Sequence, residues 1–377
     1  MGIMTGFVLI VIQHLLTDFL AFGHALIELG VDPADVFLIG IPYSSKKRTV
    51  LGLKSMGFKN VRAPTEYPFE DDVKTVIDAA LQRCELTGKK LLVIEDGGYV
   101  VPLFHGSYAG SVEVVHGAVE QTANGIWADK ELDKSGLLRF PVINVAESAI
   151  KDRRESPLIG QAVVDNIRRL LGTRGRDVAG KKAIVLGYGS IGRQVVRALG
   201  AAGARSVAVS EVREDRRAQA ATDGVSDIFE MPIGEPLSNY SIVVGCTGRQ
   251  REAAPLDAAA LLWLQHTAVV ASATSKRSEI NYADLASLTV REEHQPGYGR
   301  IITMRNEFSF ALLANGFPVN FFDTSESVPD TMIQFIPAIM LAGAAYLAQR
   351  SLPAGIHDVP SKLQDQIDRI QSAAEGR

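Results

Sequence analysis

The stretch GKKAIVLGYGSIGRQVVRALGAAGA, from Gly180 to Ala204, decides the fold of this chain. An apolar strand, Ala183 to Leu186, leads into the glycine loop GYGSIG, and an amphipathic helix follows the loop. The apolar positions of that helix are Ile191, Val195, Val196 and Leu199. A second strand, Val207 to Val209, ends at an acid, Glu211. Strand, loop, helix, strand and acid in this order indicate a Rossmann unit that binds a dinucleotide.

The glycines of the loop each have a physical reason. Gly187 permits the tight turn, Gly189 lets the backbone approach a pyrophosphate, and Gly192 allows the helix to pack closely on the strand. Free N–H groups at the start of the helix can hold the phosphates. The predicted cofactor-binding residues of the loop are Gly187, Tyr188, Gly189, Ser190, Ile191 and Gly192. A glycine-rich turn in another parallel-sheet protein is the alternative.

The acid after the second strand bears on the choice of cofactor. Glu211 can accept hydrogen bonds from the adenosine ribose hydroxyls and would repel a 2′-phosphate, so the sequence favours NAD over NADP. Three nearby arginines weaken this preference, because an arginine can host the extra phosphate. They are Arg213, Arg216 and Arg217.

Composition bounds the class of protein. A chain of 377 residues with 46% hydrophobic and 22% charged residues is typical of a soluble protein with two or more domains. The formal charge of −4 gives no basic surface for nucleic acid or an anionic membrane. The two cysteines, Cys84 and Cys246, are far apart in sequence, so they form no disulfide framework or zinc spacing.

The apolar segment near the N-terminus resembles a membrane span but contains charged and polar residues. No basic region precedes it, and it includes His14, Asp18, His24 and Glu28. A buried strand, Phe7 to Ile12, followed by a helix from about Leu15 to Leu29 fits better. We therefore predict a cytoplasmic protein without a membrane partner.

Alternating apolar and helical segments predict the domain organisation. The fold class is α/β: a Rossmann-type NAD-binding domain and a second α/β domain that binds the substrate. Candidate strands of the first part are Val8–Ile12, Val36–Ile41, Lys90–Ile94, Glu113–His116 and Pro141–Val145. We assign residues 1–158 to substrate binding, 159–318 to the Rossmann domain and 351–377 to a C-terminal tail. Residues 319–350, with an apolar helix over Pro329 to Gln349, return to the substrate domain or form the interface of a homo-oligomer (a dimer or tetramer).

Two polar clusters stand at the ends of predicted strands. Gln13-His14 follows the first strand, and Glu95-Asp96-Gly97-Gly98 follows the strand LLVI. Carboxyl ends of parallel strands open into the ligand crevice, so His14 and Asp96 are placed for acid–base chemistry. A core or helix-capping histidine and a capped turn are the alternatives.

Two further clusters lie between these strands and the glycine loop. In EQTANG, Glu120 to Gly125, side chains such as Thr122 and Asn124 could bind sugar hydroxyls or the nicotinamide ribose. In the segment from Asn144 to Ser156, a lysine beside a cofactor cleft, Lys151, could act as base for an alcohol when desolvation favours its neutral form. A plain polar loop and a solvated charge run are the alternatives.

Considered together, the clusters resemble the motifs of the S-adenosylhomocysteine hydrolase family. The family order is a strand-end histidine, D-D-G-G, E-E-T-T-T-G, N-V-N-D-S-x-x-K and the nucleotide loop. The corresponding segments here are His14, EDGG at Glu95–Gly98, EQTANG at Glu120–Gly125, NVAESAIK at Asn144–Lys151 and GYGSIG. Downstream, GCTG at Gly245–Gly248 and LLANGFPVN at Leu312–Asn320 are similar to two later family motifs.

The resemblance implies a reaction and roles for individual residues. In that family NAD first oxidises the ribose 3′-hydroxyl to a ketone. The 4′ proton is then removed and the 5′ thiolate leaves, after which water adds and the ketone is reduced again. By resemblance Lys151 is the base at the 3′-hydroxyl, with Glu155 (or Ser156) as its partner. His14 and Asp96 serve C4′ and C5′, and Gln121 contacts the sugar hydroxyls. Cofactor contacts implied beyond the loop are Glu211, Thr122, Asn124, Thr247 and Asn320.

Departures from the family motifs predict a changed substrate. Gln121 replaces a glutamate, while Ser275 and the segment around Glu326 stand where the family has histidines. No Lys-x-x-x-Tyr follows Pro353. We therefore expect an enzyme that acts on a nucleoside as a hydrolase or lyase. One candidate is a dehydratase that forms a 4′,5′-unsaturated nucleoside in a biosynthetic pathway. An authentic S-adenosylhomocysteine hydrolase, a net dehydrogenase and a non-catalytic nucleotide-binding homologue are the alternatives.

Overall fold

A computed structural model describes residues 2–248 and 254–376, which divide into two compact units. The first unit contains the residues up to Arg153 together with those from Val328 onward. The second unit is Arg154–Ser327. The second unit is therefore inserted into the first along the chain.

The secondary structure alternates strands and helices, as the sequence predicts. In chain order the strands of the described residues are β1 (Phe7–Gln13), β2 (Val36–Gly40), β3 (Asn60–Arg62), β4 (Lys90–Glu95), β5 (Val115–Glu120), β6 (Pro141–Asn144), β7 (Lys182–Leu186), β8 (Ser206–Glu211), β9 (Ile228–Glu230), β10 (Ile242–Gly245), β11 (Val269–Ser272), β12 (Thr289–Gln295), β13 (Gly299–Met304), β14 (Ser309–Leu313) and β15 (Gly355–Asp358). The α-helices are α1 (Phe19–Glu28), α2 (Lys47–Ser55), α3 (Glu70–Thr87), α4 (Val101–Phe104), α5 (Ala123–Lys134), α6 (Ala149–Gly172), α7 (Ser190–Ala201), α8 (Glu214–Thr222), α9 (Ala258–Leu262), α10 (Tyr282–Leu288), α11 (Asp330–Ile333), α12 (Phe335–Ala348) and α13 (Ser361–Ala374).

The first unit is built on a parallel sheet of seven strands in the order β15-β6-β5-β4-β1-β2-β3. Its central strands are continuous apolar runs, and every residue of β2 is buried. Such runs are expected when helices cover both faces of a sheet. The chain progresses outward from β1 in one direction and from β4 in the other, so a topological switch point lies between β1 and β4. Ligand crevices open at the carboxyl ends of strands at such points.

The second unit contains a sheet of eight strands in the order β12-β13-β14-β11-β10-β7-β8-β9. Strands β14 to β9 in this order are parallel to their neighbours. An antiparallel meander, β12-β13-β14, forms one edge. The strand order reverses between β7 and β10, and the glycine loop directly follows β7.

The segment after residue 350, predicted as a C-terminal tail, is part of the first unit. Strand β15 pairs in parallel with β6, and α13 packs against α12. The short, half-exposed strand carries no apolar run, which is why its pattern did not predict pairing. The strands β3 and β9 were missed for the same reason.

Some element bounds also differ from the sequence prediction. The strand predicted over Glu113–His116 is β5, which begins at Val115 because Ala109–Val114 forms a 3₁₀ helix. Helix α1 begins at Phe19 rather than Leu15, after a turn closed by the bond from Leu16 N–H to His14 O. The apolar helix predicted over Pro329 to Gln349 is two helices, α11 and α12. The stretch Asp330–Ala348 is long and apolar enough to cross a membrane by length and composition alone, and half of it is buried.

Candidate active site

His14 and Asp96 face each other at the switch point of the first unit. Each follows directly on a central strand, β1 or β4, and Nε2 of His14 lies 3.5 Å from Oδ2 of Asp96. Nδ1 of His14 is hydrogen bonded to the hydroxyl of Ser44. Burial lowers the pKa of His14 below its ordinary value, Asp96 opposes this effect, and the charge of Lys151 adds to it. His14 is therefore neutral near pH 7 and able to accept a proton.

Lys151 and Gln121 lie at the same edge of this sheet. Lys151 is in the first turn of α6, is buried, and donates a hydrogen bond from Nζ to the main-chain oxygen of Gln121. Oε1 of Gln121 accepts a hydrogen bond of 3.2 Å from Nε2 of Gln13. The structure thus brings His14, Asp96, Gln121 and Lys151 of the sequence prediction together in one unit.

Glu120, the last residue of β5, links the two loops that carry Asp96 and Gln121. Its carboxylate accepts hydrogen bonds from the N–H groups of Gly97 (3.2 Å) and Gly98 (2.9 Å). It also accepts bonds from the N–H (2.6 Å) and the hydroxyl (2.7 Å) of Thr122. The sequence analysis placed Glu120 in the EQTANG cluster but gave it no role of its own. The signal that could have indicated such a role was the position of Glu120 at the end of a strand, next to Gln121.

Two more buried acids surround Glu120. Glu95 accepts hydrogen bonds from the N–H groups of Tyr99 (2.6 Å), Val100 (2.7 Å) and Val101 (3.0 Å), which fixes the chain after the two glycines. Burial and the charge of Glu95 raise the pKa of Glu120 above its ordinary value.

Asp129 on α5 is the third buried acid. Within the described residues neither of its side-chain oxygens has a hydrogen-bond partner. Burial, with the charges of Glu120 and Glu95, raises the pKa of Asp129 to about 9. The Asp129 carboxyl group is therefore protonated at neutral pH. Among residues 2–248 and 254–376, no cluster of three His, Cys, Asp or Glu side chains could hold a metal ion.

The glycine loop of the second unit forms a cradle with one open face. Gly187 has φ +99°, and a Cβ there would lie 2.7 Å from the main-chain oxygen of Cys246. A Cβ on Gly192 would lie 2.1 Å from the oxygen of Gly187. By contrast, the nearest atom to a Cβ on Gly189 is Nη1 of Arg216, at 3.4 Å. Packing therefore requires the first and third glycines, whereas the second leaves room for a ligand at the start of α7, as a pyrophosphate needs.

Glu211 is buried at the end of β8, beside the loop. Its carboxylate accepts a hydrogen bond of 2.7 Å from the N–H of Tyr188. The residues Ser190 and Ile191 begin α7, so the loop and the acid have the arrangement that a dinucleotide site requires. The residues present thus fit the cofactor that the sequence predicts.

Glu279 is a buried acid that our sequence prediction overlooked. Its Oε1 accepts hydrogen bonds from the N–H (2.8 Å) and hydroxyl (3.0 Å) of Thr247. It also accepts one from the hydroxyl of Thr274. Burial raises the pKa of Glu279. Glu279 therefore ties the loop after β10 to the loop after β11, and its distance from the glycine motif explains why no local pattern indicated it.

The remaining predicted residues have structural partners or partly buried positions. Thr122 caps α5 by accepting a bond of 3.2 Å from the N–H of Gly125. Asn320 is buried and donates a bond of 2.7 Å to the hydroxyl of Ser327. Asn124 is partly buried in the first turn of α5. Glu155, also partly buried, lies one helical turn after Lys151 on α6.

These features define the class of protein as a Rossmann-type NAD-binding protein with a second parallel α/β unit. Residues 159–326 match the family described as S-adenosyl-L-homocysteine hydrolase, NAD binding domain. These residues belong to the NAD-binding domain family of the adenosylhomocysteinases, and NAD is the cofactor of the chain. The family, the fold class and the cofactor predicted from the sequence are thus confirmed.

Curated relatives extend the match beyond the NAD-binding domain. Adenosylhomocysteinase of Saccharolobus solfataricus is 27% identical over 290 residues, covering 76% of this chain and 66% of the relative. Adenosylhomocysteinase of Pyrobaculum aerophilum is 29% identical over 272 residues, covering 71% of this chain and 59% of the relative. S-inosyl-L-homocysteine hydrolase of Methanothermobacter thermautotrophicus is 24% identical over 330 residues, covering 86% and 73%. The chain therefore spans less than two thirds of the length of the first two relatives.

Proposed function

We propose that this chain is an NAD-dependent enzyme that activates the sugar of a nucleoside by oxidation at C3′, removes the 4′ proton and releases the 5′ substituent. The observation that carries the proposal is the His14–Asp96 pair, 3.5 Å apart at the switch point of the first unit, where ligands of such sheets bind. Lys151, buried at the same edge, completes a set of proton-transfer groups.

Lys151 has the role of base at the 3′-hydroxyl. Its Nζ donates a hydrogen bond to the main-chain oxygen of Gln121, which holds the amine at this edge of the sheet. In its neutral form it takes the hydroxyl proton as the C3′–H bond breaks. When NAD is bound in the glycine cradle, it supplies a reversible hydride acceptor for C3′.

His14 and Asp96 have the roles of acid and base around C4′ and C5′. Because burial lowers the pKa of His14, the imidazole is neutral and can take a proton near pH 7. A carbonyl at C3′ acidifies the 4′ proton. Its removal expels the 5′ group with its electron pair, and the pair of side chains then supplies a proton to that group.

We further propose that the 5′ group is not homocysteine. Gln121 is neutral where the family has a glutamate, and its side-chain oxygen is occupied by Gln13. In the dehydratase form of the reaction, the C4′–H and C5′–O bonds break, water leaves, and a 4′,5′ double bond forms. Restoration of the 3′-hydroxyl leaves the cofactor oxidised, so no external oxidant is consumed.

Product analysis tests this proposal against the alternatives. The purified protein is incubated separately with adenosine, inosine, S-adenosylhomocysteine and S-inosyl-L-homocysteine, and products are identified by mass spectrometry. Loss of water from a nucleoside supports the dehydratase. Release of homocysteine, detected with a thiol reagent, would make the chain an authentic hydrolase. Stoichiometric NADH would indicate a net dehydrogenase, and no product with any of them would contradict catalysis on nucleosides.

Three other predictions stay with this proposal. A homo-oligomer, a cytoplasmic location and a role in biosynthesis are expected of such an enzyme. We also propose that residues 1–158 carry the substrate and 159–318 the cofactor. Light scattering of the purified protein tests the oligomeric state, and a monomer at micromolar concentration would contradict it.

A further inference from the structure

The buried acid at the end of β8 has little acceptor capacity left. Oε2 of Glu211 accepts a bond of 2.7 Å from the N–H of Tyr188, and Oε1 accepts bonds of 2.8 Å and 3.0 Å from the N–H groups of Val212 and Arg213. A carboxylate has about four lone-pair sites, so the main chain occupies most of them. Oε2 also faces Nη1 of Arg216 at 3.8 Å.

Two of the three arginines after Glu211 form hydrogen bonds to other groups of the protein. Arg213 forms a bidentate ion pair with Asp215, through Nε at 3.0 Å and Nη2 at 2.6 Å. Arg217 donates to the main-chain oxygens of Glu211 (2.9 Å) and Val212 (2.7 Å). These bonds use two of the five N–H donors of each guanidinium and hold both side chains against the protein.

Arg216, in contrast, lies against the glycine loop. Its Nη1 and Cζ are 3.4 Å and 3.8 Å from the position of a Cβ on Gly189, where a pyrophosphate approaches. Within the described residues its ion pair with Glu211, at 3.8 Å, is longer than a hydrogen bond. The side chain is 38% exposed, so Arg216 keeps donors for a ligand beside the loop.

We propose that Arg216 binds a phosphate carried on the adenosine 2′-hydroxyl, so that NADP enters this site as well as NAD. The planar guanidinium can donate two parallel hydrogen bonds to a phosphate. Its positive charge also offsets the repulsion between Glu211 and that phosphate. NAD offers a neutral ribose at this point and gains less from Arg216.

A competition for the whole protein tests this inference without any turnover. The purified protein is incubated with equal concentrations of NAD and NADP until its cofactor content is constant. It is then desalted and denatured, and the released cofactors are quantified by mass spectrometry. We expect wild type to retain NADP at a level within about tenfold of NAD. Arg216→Ala should lower the NADP to NAD ratio about tenfold or more, because charge-assisted hydrogen bonds are lost.

Matched variants make the outcome decisive. Arg213→Ala removes an arginine that is paired with Asp215, so the ratio should stay at the wild-type value. Arg216→Gln keeps a long polar side chain without the charge, and it should lower the ratio even if the alanine variant fails to fold. Wild type that retains no NADP would overturn the inference. So would an unchanged ratio in Arg216→Gln.

Discussion

Nε2 of His14 lies 3.5 Å from Oδ2 of Asp96, across the point where the strand order of the first sheet reverses. Burial lowers the pKa of His14, and the carboxylate of Asp96 raises it in opposition. The pair therefore keeps a buried imidazole neutral near pH 7 while limiting the fall of its pKa. A neutral imidazole whose pKa is kept from falling far can both accept and return a proton, as acid–base catalysis at a sugar requires.

Replacing Asp96 should move the pKa of His14 further down. Asp96→Asn removes a negative charge that raises the pKa of His14, so we expect this pKa to fall. NMR titration of the His14 ring measures this shift directly. Asp71→Asn, at a fully exposed side chain, is the control and should leave the titration unchanged. A His14 pKa that stays constant or rises in Asp96→Asn would show that the two groups do not interact.

The loop glycines should separate cofactor binding from folding. Gly189→Ala places its methyl 3.4 Å from Arg216 and otherwise in the open face. The cofactor-free variant should therefore keep the melting temperature of cofactor-free wild type, while most NAD binding is lost. Gly192→Ala would put a methyl 2.1 Å from the oxygen of Gly187, so the second unit should be destabilised. Calorimetry gives the melting temperatures, and the NAD released on denaturation gives the cofactor content. Equal melting temperatures for the two variants would contradict the packing argument.

Asp129 should make the protein less stable as the pH rises. Its pKa is raised from 3.8 to about 9, so the folded state binds the proton more tightly than the unfolded state between these values. Stability is then lost with increasing pH by up to about 1.4 kcal/mol per pH unit. The side chain in Asp129→Asn cannot ionise. The free energy of unfolding of this variant, relative to that of wild type, should therefore increase between pH 5 and pH 8. Denaturant unfolding at several pH values measures this, and parallel curves for the two proteins would exclude a raised pKa.

Glu120 should position Asp96 through the main chain. Glu120→Gln replaces one acceptor oxygen by a donor beside the N–H groups of Gly97 and Gly98, and should destabilise the protein by about 1–3 kcal/mol. Because the loop that carries Asp96 then shifts, the pKa of His14 should change as well. The exposed Glu113→Gln is the control and should alter stability by less than about 0.5 kcal/mol. Loss of stability with an unaltered His14 titration would leave Glu120 a purely structural residue.

The sequence could predict those features that depend on local order along the chain. The glycine loop, its helix and Glu211 follow from spacing, and His14 and Asp96 follow from the rule that ligands bind at strand ends. Glu279 and Asp129 could not be predicted in this way. Each is significant because remote elements bury it, and burial by distant residues leaves no periodic signal.

The orientation of side chains also lay beyond the sequence. By sequence, Arg213, Arg216 and Arg217 were equivalent candidates for binding a phosphate. In the structure Arg213 pairs with Asp215 and Arg217 donates to main-chain oxygens, and these contacts distinguish Arg216 from the other two. The strand β15 was missed because it is short and half-exposed and carries no apolar run.

Deuterium exchange at C4′ is the most direct test of the proposed reaction. Adenosine or inosine is incubated with the protein in D₂O, and the recovered nucleoside is examined by NMR. We predict deuterium at C4′ with wild type and with Lys181→Met, an exposed control. Lys151→Met should show none while its NAD content stays normal. Absence of exchange with wild type, or equal exchange in Lys151→Met, would contradict the account.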